Sequence, residues 1–333
     1  STIHRALEYA GGAGADRWGR NEHYPLDADL VVIDEASMLD LLLAHHLVKA
    51  VRRGAHLLFV GDADQLPSVG PGAVLRDLLA SGAVPSLHLD TIFRQAADSG
   101  IIANAHAING GAAPDAEAFP DFFFFPRAEA ERCAAMVVEL VTSRVPRQFP
   151  GLDPQRDIQV LAATHRGPAG VAELNTRLQQ ALNPPDPRRA EAQIGNNLYR
   201  VGDRVIQLRN NYDLDVSNGD MGVITALDSD ERTLTVQYDD VRSVTYQWSE
   251  LDELALAYVI SIHKSQGAEY PAVVVPLLRY YGQLLQRSLL YTAVTRAREL
   301  VVLTGDWKAV EQAVANQKTN GRVTALERRL RGE

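Results

Sequence analysis

Two acids in succession, Asp34 and Glu35, follow the apolar run Leu30-Val31-Val32-Ile33. At the end of a strand such a pair can divide two tasks, one carboxylate holding Mg²⁺ through water while the other polarises an attacking water molecule. The same residues read equally well as a helix start, with Asp34, Glu35 and Ser37 capping the helix that follows. A second stretch, Phe59-Val60-Gly61-Asp62-Ala63-Asp64-Gln65-Leu66-Pro67-Ser68-Val69-Gly70-Pro71-Gly72, closes another apolar run with a glycine turn, two acids and an amide. A glutamine amide both donates and accepts hydrogen bonds, so Gln65 can respond to a terminal phosphate. Alone, this stretch reads as a Gly/Pro-rich connection; its combination with Asp34-Glu35 favours the chemical reading.

The elements that must position these groups follow from the apolar patterning. Leu30 to Ile33 and His56 to Val60 are strand-like, and Ser37 to Arg53 between them has helical length and spacing. Uninterrupted apolar strands alternating with helices imply a parallel sheet covered on both faces, with ligands beyond the carboxyl ends of the strands. The alternation returns with strands at Asp157 to Ala163, Ala272 to Leu277 and Leu300 to Leu303, and helices at Val171 to Leu182 and Leu284 to Arg298. Between them, Asn183-Pro184-Pro185-Asp186-Pro187 breaks the pattern. Short alternating runs from about Gln193 to Glu250 then indicate a small β-barrel insertion. Phe122 to Phe125 reads as a buried strand.

The whole composition is that of a globular, multidomain chain. Its 333 residues are 46% hydrophobic and carry a net charge of −9, which disfavours duplex coating by bulk charge but leaves room for a local basic cleft. No apolar run reaches the roughly 20 residues that span a bilayer, so no membrane association is expected. The single cysteine, Cys133, excludes an internal disulfide framework and suits a reducing, cytoplasmic setting.

In order along the chain, these stretches resemble motifs of superfamily 1 helicases. Asp34-Glu35 resembles a Walker B element (motif II), and GDADQLPSVGPG resembles motif III in the wording of the RecD-like branch. Leu89-Asp90-Thr91-Ile92-Phe93-Arg94-Gln95 resembles motif IV, Ser261-Ile262-His263-Lys264-Ser265-Gln266-Gly267-Ala268-Glu269 motif V, and Tyr291-Thr292-Ala293-Val294-Thr295-Arg296-Ala297-Arg298 motif VI. Ser1-Thr2-Ile3-His4-Arg5 resembles motif Ia. One departure stands out: no GxxxxGK[ST] occurs, because none of the four lysines follows a glycine. The chain is therefore expected to be the C-terminal part of a longer protein.

The resemblance implies an α/β fold of two RecA-like parallel-sheet domains, the first incomplete at its N-terminus, with an SH3-like β-barrel inserted in the second. The expected boundaries are 1–88 for the first domain, with a hairpin pin at about 8–27; 89–190 and 253–333 for the second, the latter including a C-terminal tail; and 191–252 for the barrel. It implies ATP and Mg²⁺ as cofactors, Asp34 as the metal residue, Glu35 as general base, Gln65 as γ-phosphate sensor, and Arg94 and Arg296 as fingers on the transferred phosphoryl group. Gly267 and Glu269 fall on the nucleotide side of motif V, Glu269 near the sugar. Thr2, His4, His263, Lys264 and Ser265 are implied along the strand-binding face, and Arg209, Asn210 and Tyr212 in a groove of the barrel. Asn218-Gly219 reads more simply as a hairpin turn. Arg166 opens a helix after a strand, where a phosphate or plain solvent are equally compatible. Trp18 either buttresses split bases or packs beneath a surface loop.

The implied activity is ATP-driven 5′-to-3′ translocation on single-stranded DNA with unwinding at single-strand/duplex junctions, carried out by a monomer, with unspecified recombination or repair partners. Two alternatives remain open: a superfamily 1 helicase of 3′-to-5′ polarity, and a strand-binding fragment without ATPase activity.

Overall fold

A computed structural model describes residues 1–10, 18–89, 99–317 and 324–332. The chain forms two compact units, Ser1–Ile92 with Gln317–Glu333, and Phe93–Asn316. Motif IV from Asp90 onward, including Arg94, and residues 11–17 of the expected pin lie outside the described residues.

In the first unit a short helix α1 (Ile3–Ala6) precedes β1 (Leu30–Ile33), α2 (Leu41–Ala50), β2 (His56–Phe59) and α3 (Val74–Ser81). The two strands pair in parallel, Leu30 opposite His56 through Ile33 opposite Phe59. Ile33, Leu47, Ala50, Val74 and Leu75 form the buried core, against which Val31, Leu57 and Phe59 pack. Among the described residues the helices pack on the face that carries Ile33, and the alternate residues Leu30, Val32 and Leu58 are exposed. The helix expected from Ser37 is instead a 3₁₀ turn, Ala36–Met38, followed by α2, because Asp40 caps α2 by accepting the Leu43 N–H at 2.8 Å.

The second unit opens with α4 (Gly100–Gly110), β3 (Phe122–Pro126), α5 (Ala130–Glu139), α6 (Val145–Gln148), β4 (Ile158–Ala162) and α7 (Val171–Leu182). An excursion follows: a hairpin of β5 (Glu191–Ile194) and β6 (Asn197–Arg200), then β7 (Arg204–Gln207), β8 (Met221–Asp228), β9 (Thr233–Gln237), β10 (Ser243–Gln247) and β11 (Leu254–Leu256). The chain returns through β12 (Val259–Ser261), β13 (Tyr270–Leu277), α8 (Arg287–Val294), β14 (Ala297–Gly305) and α9 (Trp307–Ala315). Strands β12, β4, β13, β14 and β3 form, in that order, a parallel sheet. Strands β10, β9, β8, β7 and β11 form an antiparallel sheet around Tyr199, Val205, Leu234, Val236 and Tyr246.

Three expectations are corrected here. The helix expected to reach Arg298 stops at Val294, because the Arg296 carbonyl accepts the Tyr270 N–H and Ala297 pairs with Tyr270, which draws the chain into β14. The phenylalanine run is a strand, but only Phe122 is fully buried; β3 is the edge strand, leaving the other three half-buried. The last helix, α10 (Leu326–Arg331), packs on α3 and belongs with the first unit rather than with a tail of the second. The Thr324 hydroxyl bonds the Asp77 carboxylate, and Arg331 donates to the Ala80 carbonyl at 2.6 Å.

Buried polar groups join the antiparallel excursion to the parallel sheet. Asp203 accepts from Asn183 Nδ2 (2.7 Å) and Tyr258 OH (2.9 Å) on one oxygen, and from Gln179 Nε2 (2.6 Å) and the Arg200 N–H (2.7 Å) on the other. Its neighbour Arg204 is equally enclosed, donating to the Ile158 carbonyl at 3.2 Å and to Gln159 Oε1 at 2.7 Å. All four sides of the junction are thus satisfied by specific partners.

Candidate nucleotide site and nucleic-acid interface

Asp34 and Glu35 sit immediately beyond the carboxyl end of β1, and Gly61 to Gln65 beyond that of β2. The two loops are laced together: Ala36 N–H donates to the Val60 carbonyl at 2.9 Å, and a Cβ on Gly61 would stand 2.8 Å from Ala36 N. Glycine is therefore required for this approach. Glu35 has φ 50° and ψ 42°, a left-handed conformation that costs a non-glycine residue roughly 1–3 kcal/mol and recurs at functional sites. Asp34 Oδ1 accepts the Glu35 N–H at 2.8 Å. The capping alternative fails on this geometry, since Asp40 caps α2 and Glu35 makes no side-chain cap.

Gln65 is 7% exposed, and its Nε2 donates to Asp62 Oδ2 at 3.2 Å. Its Oε1 has no hydrogen-bond partner, and neither does the buried Ser37 Oγ on the neighbouring loop. A buried oxygen without a donor costs about 1–3 kcal/mol, which a ligand or water can recover. Gln65 Oε1 can accept from a water, the Ser37 hydroxyl can donate to a phosphate oxygen, and exposed Asp34 can hold a hydrated cation, so the residues present fit a magnesium nucleotide. Among the described residues no three His, Cys, Asp or Glu side chains gather as a metal cluster. A single exposed carboxylate such as Asp34 suits Mg²⁺, an ion that keeps most of its waters and takes phosphate oxygens as further ligands. Asp62, one of the acids that the sequence places beyond the strand ends, fixes the Gln65 amide.

In the second unit motifs V and VI meet. Arg296 is 4% exposed and donates to Thr292 O (3.3 Å), Ala268 O (3.2 Å) and Thr295 Oγ1 (3.3 Å). These neutral oxygens hold its guanidinium beside the Gly267 to Glu269 turn, where Gly267 takes φ 78°. Glu269 is half-buried.

The barrel loop between β7 and β8 meets motif V at a second place. Lys264 Nζ donates to Asn218 Oδ1 at 3.4 Å, the Asn218 N–H donates to Asn210 Oδ1 at 2.9 Å, and Asn210 Nδ2 donates to the Tyr212 hydroxyl at 3.2 Å. Partial burial draws the Lys264 ammonium below the ordinary lysine range. Arg209 pairs with Asp252. His263 is exposed in the 3₁₀ turn Ile262–Ser265, which follows β12, and exposed Arg166 follows the adjacent β4. Asn218, read from sequence mainly as a turn residue, belongs to this cluster. Ser265 does not: it is 0% exposed and its hydroxyl donates to the Ile262 carbonyl at 2.8 Å, so the structure removes it from the strand-binding candidates.

Thr2 and His4 lie in the first unit. Thr2 caps α1 through the Arg5 N–H at 3.2 Å. His4 lies 5.6 Å from Trp18, which contacts Tyr9 at 4.5 Å and stacks on His46 at 4.6 Å between ring centroids. Tyr9 and Trp18 also form an antiparallel bridge, and Trp18 packs on the unit's core, which favours the packed-tryptophan reading.

Adjacent carboxylates and a buried glutamine on one parallel-sheet unit, with a buried arginine and an SH3-like insertion on another, are the features of a superfamily 1 helicase core. Family models agree along the chain: an AAA domain over residues 1–121, the SH3 domain of ATP-dependent RecD-like DNA helicases over 174–238, and the UvrD-like helicase C-terminal domain over 256–304. The chain is 36% identical over 336 residues to the ATP-dependent RecD2 DNA helicase of Deinococcus radiodurans, covering 99% of this chain and 43% of that protein. It is 33% identical over 347 residues to the RecBCD enzyme subunit RecD of Mycolicibacterium smegmatis, covering 99% and 59%. A crystal structure of Pif1 helicase from Bacteroides in complex with ADP-AlF3 and ssDNA superposes with a TM-score of 0.54 at 17% identity, covering 90% of this chain and 78% of that one, a likeness of fold. Along nearly its whole length the chain is similar to RecD-like helicases of superfamily 1B. It spans about half the length of these curated relatives.

Proposed function

We propose that the protein is an ATP-dependent DNA helicase that moves 5′ to 3′ on single-stranded DNA and opens duplex at single-strand/duplex junctions. The observation that carries this reading is the pairing of Glu35, held in a strained left-handed conformation beyond β1, with the orphaned Gln65 Oε1 beyond β2. Glu35 takes the proton of the attacking water as general base. Asp62 takes one of the two amide hydrogens of Gln65, leaving the other to donate to the γ-phosphate and Oε1 to accept from the attacking water. Asp34 holds Mg²⁺ through water, and the ion, when bound with ATP, supplies neutralisation of phosphate charge.

By the resemblance, Arg296 and Arg94 supply positive charge to the transferred phosphoryl group, and Glu269 contacts the nucleotide sugar. Because Arg296 rests on neutral oxygens, it can be redirected without breaking an ion pair. The strand is held by His263, Lys264, Arg166 and the barrel residues Arg209, Asn210 and Tyr212 through phosphate and stacking contacts that ignore sequence. The relatives' names support the helicase reading, and the 5′-to-3′ polarity rests on the resemblance to the RecD-like group alone.

Unwinding of matched duplexes with a 5′ or a 3′ single-stranded tail tests polarity. Opening of the 5′-tailed duplex only is expected from the full-length protein with ATP. Preferential opening of the 3′-tailed duplex would reverse the polarity, and strand binding without ATP turnover would reduce the protein to a binding module.

A further inference from the structure

Two acids stand on the face of the barrel that the proposed function assigns to a polyanion, and neither is explained by it. Asp252 and Glu253 end the 3₁₀ turn Trp248–Glu253 ahead of β11. Together they clasp the start of the loop that carries Arg209, Asn210 and Tyr212. The Glu253 carbonyl accepts the Leu208 N–H at 2.7 Å, and its Oε2 accepts Gln207 Nε2 at 2.9 Å and Asn211 Nδ2 at 3.2 Å. Gln207 is itself fixed in the barrel core, its Oε1 accepting from Tyr246 OH at 3.0 Å and Tyr238 OH at 3.3 Å. Asn211 and Val216 then close the loop by exchanging backbone hydrogen bonds at 2.8 and 3.0 Å. Glu253 is thereby consumed in holding backbone and amides.

Asp252 is different, because its partner is the Arg209 guanidinium itself, and both side chains are more than half exposed. An exposed ion pair is worth little in water, so an incoming phosphate can compete for the arginine at small cost. We propose that Asp252 is a positioning residue that holds Arg209 as an internal counter-ion in the strand-free protein and yields it to a phosphate of the bound strand. The exchange keeps a long arginine side chain ordered and aimed beside Asn210 and Tyr212, and it lowers strand affinity by the strength of the pair it breaks. An enzyme that must release each phosphate as it steps gains a built-in competitor for the cation. The inference rests on the strand-binding role proposed for Arg209.

The test is binding of fluorescein-labelled oligothymidine by the full-length protein across a salt series, for wild type, Asp252→Asn, Arg209→Ala and the double variant. Asp252→Asn is expected to bind about two- to fivefold tighter at low salt, the span expected for an exposed pair. Its salt dependence should steepen, since the freed carboxylate no longer takes up a cation on binding. In the Arg209→Ala background the same substitution should change nothing beyond its long-range charge. A merely structural Asp252 would lower affinity when neutralised, and that result, or an unchanged affinity with wild type binding normally, overturns the exchange alone. If Asp252→Asn tightens binding equally with and without Arg209, general electrostatics explains it and the proposal falls. Failure of wild type to bind the oligonucleotide would overturn the strand-binding reading together with this one.

Discussion

Replacing Asp203 by asparagine isolates the junction between the antiparallel excursion and the parallel sheet. Four donors converge on the carboxylate, two on each oxygen. An asparagine of the same shape must turn an NH₂ toward one of these pairs. Facing Gln179 Nε2 and the Arg200 N–H, it leaves two donors opposed. Facing Tyr258 and Asn183 it does better, because the hydroxyl can rotate to accept. Asn183 still cannot flip, since its Oδ1 already accepts from Arg189 at 2.8 Å and its Nδ2 also donates to the Val201 carbonyl at 3.2 Å. At least one buried donor is therefore orphaned and the charge-assisted bonds become neutral ones, a loss of about 2–4 kcal/mol. Urea unfolding followed by tryptophan fluorescence should show a lower midpoint with an unchanged slope. A change below about 0.5 kcal/mol, the level of an ordinary surface substitution, would refute the view that this network holds the two sheets together.

Arg296→Ala should cut ATP turnover of the full-length protein by at least about 10³-fold while strand binding persists, and near-normal turnover would remove its role on the phosphoryl group. Lys264→Ala should lower strand affinity and flatten the logarithmic salt dependence by about 0.7, as for one lost phosphate contact. Ser265→Ala should leave that slope unchanged, because the hydroxyl is enclosed in its own turn; fluorescence anisotropy measures both. Cys133 is buried and its thiol is pushed up to about 12 by desolvation, so it should resist iodoacetamide at pH 8 in the folded protein and react fully in urea. Rapid alkylation of the native protein would contradict that burial.

Much of the fold could be read from the sequence where apolar runs had a single interpretation. Val171 to Leu182 is a helix as expected, and strands occur at each of the apolar stretches named in the second unit. The failures share a cause in tertiary pairing. Nothing local tells that the backbone at Arg296 bonds Tyr270 and so ends α8 two residues earlier. Likewise, Asp40 rather than Ser37 starts a helix because its side chain reaches Leu43, a choice that several polar residues in the stretch could have made.

The candidate site divides along the same line. Asp34, Glu35 and Gln65 could be found because acids and an amide after apolar runs carry a chemical signature. Ser265 sits in an equally suggestive motif, yet its burial depends on the packing of the turn after β12. Asn218 and the Asp252-Glu253 pair became visible only when the barrel loop was seen against motif V and the 3₁₀ turn. Their residue types, an Asn-Gly turn and surface acids, have more common explanations.

The most direct measurement is ATP hydrolysis by the full-length protein with and without oligothymidine, repeated for Glu35→Gln. Strand-stimulated turnover in wild type, reduced to below about a tenth by the substitution with strand binding intact, is the expected result. Turnover indifferent to the strand, or a Glu35→Gln variant that hydrolyses ATP as wild type does, would contradict the assignment of this site as a strand-driven ATPase.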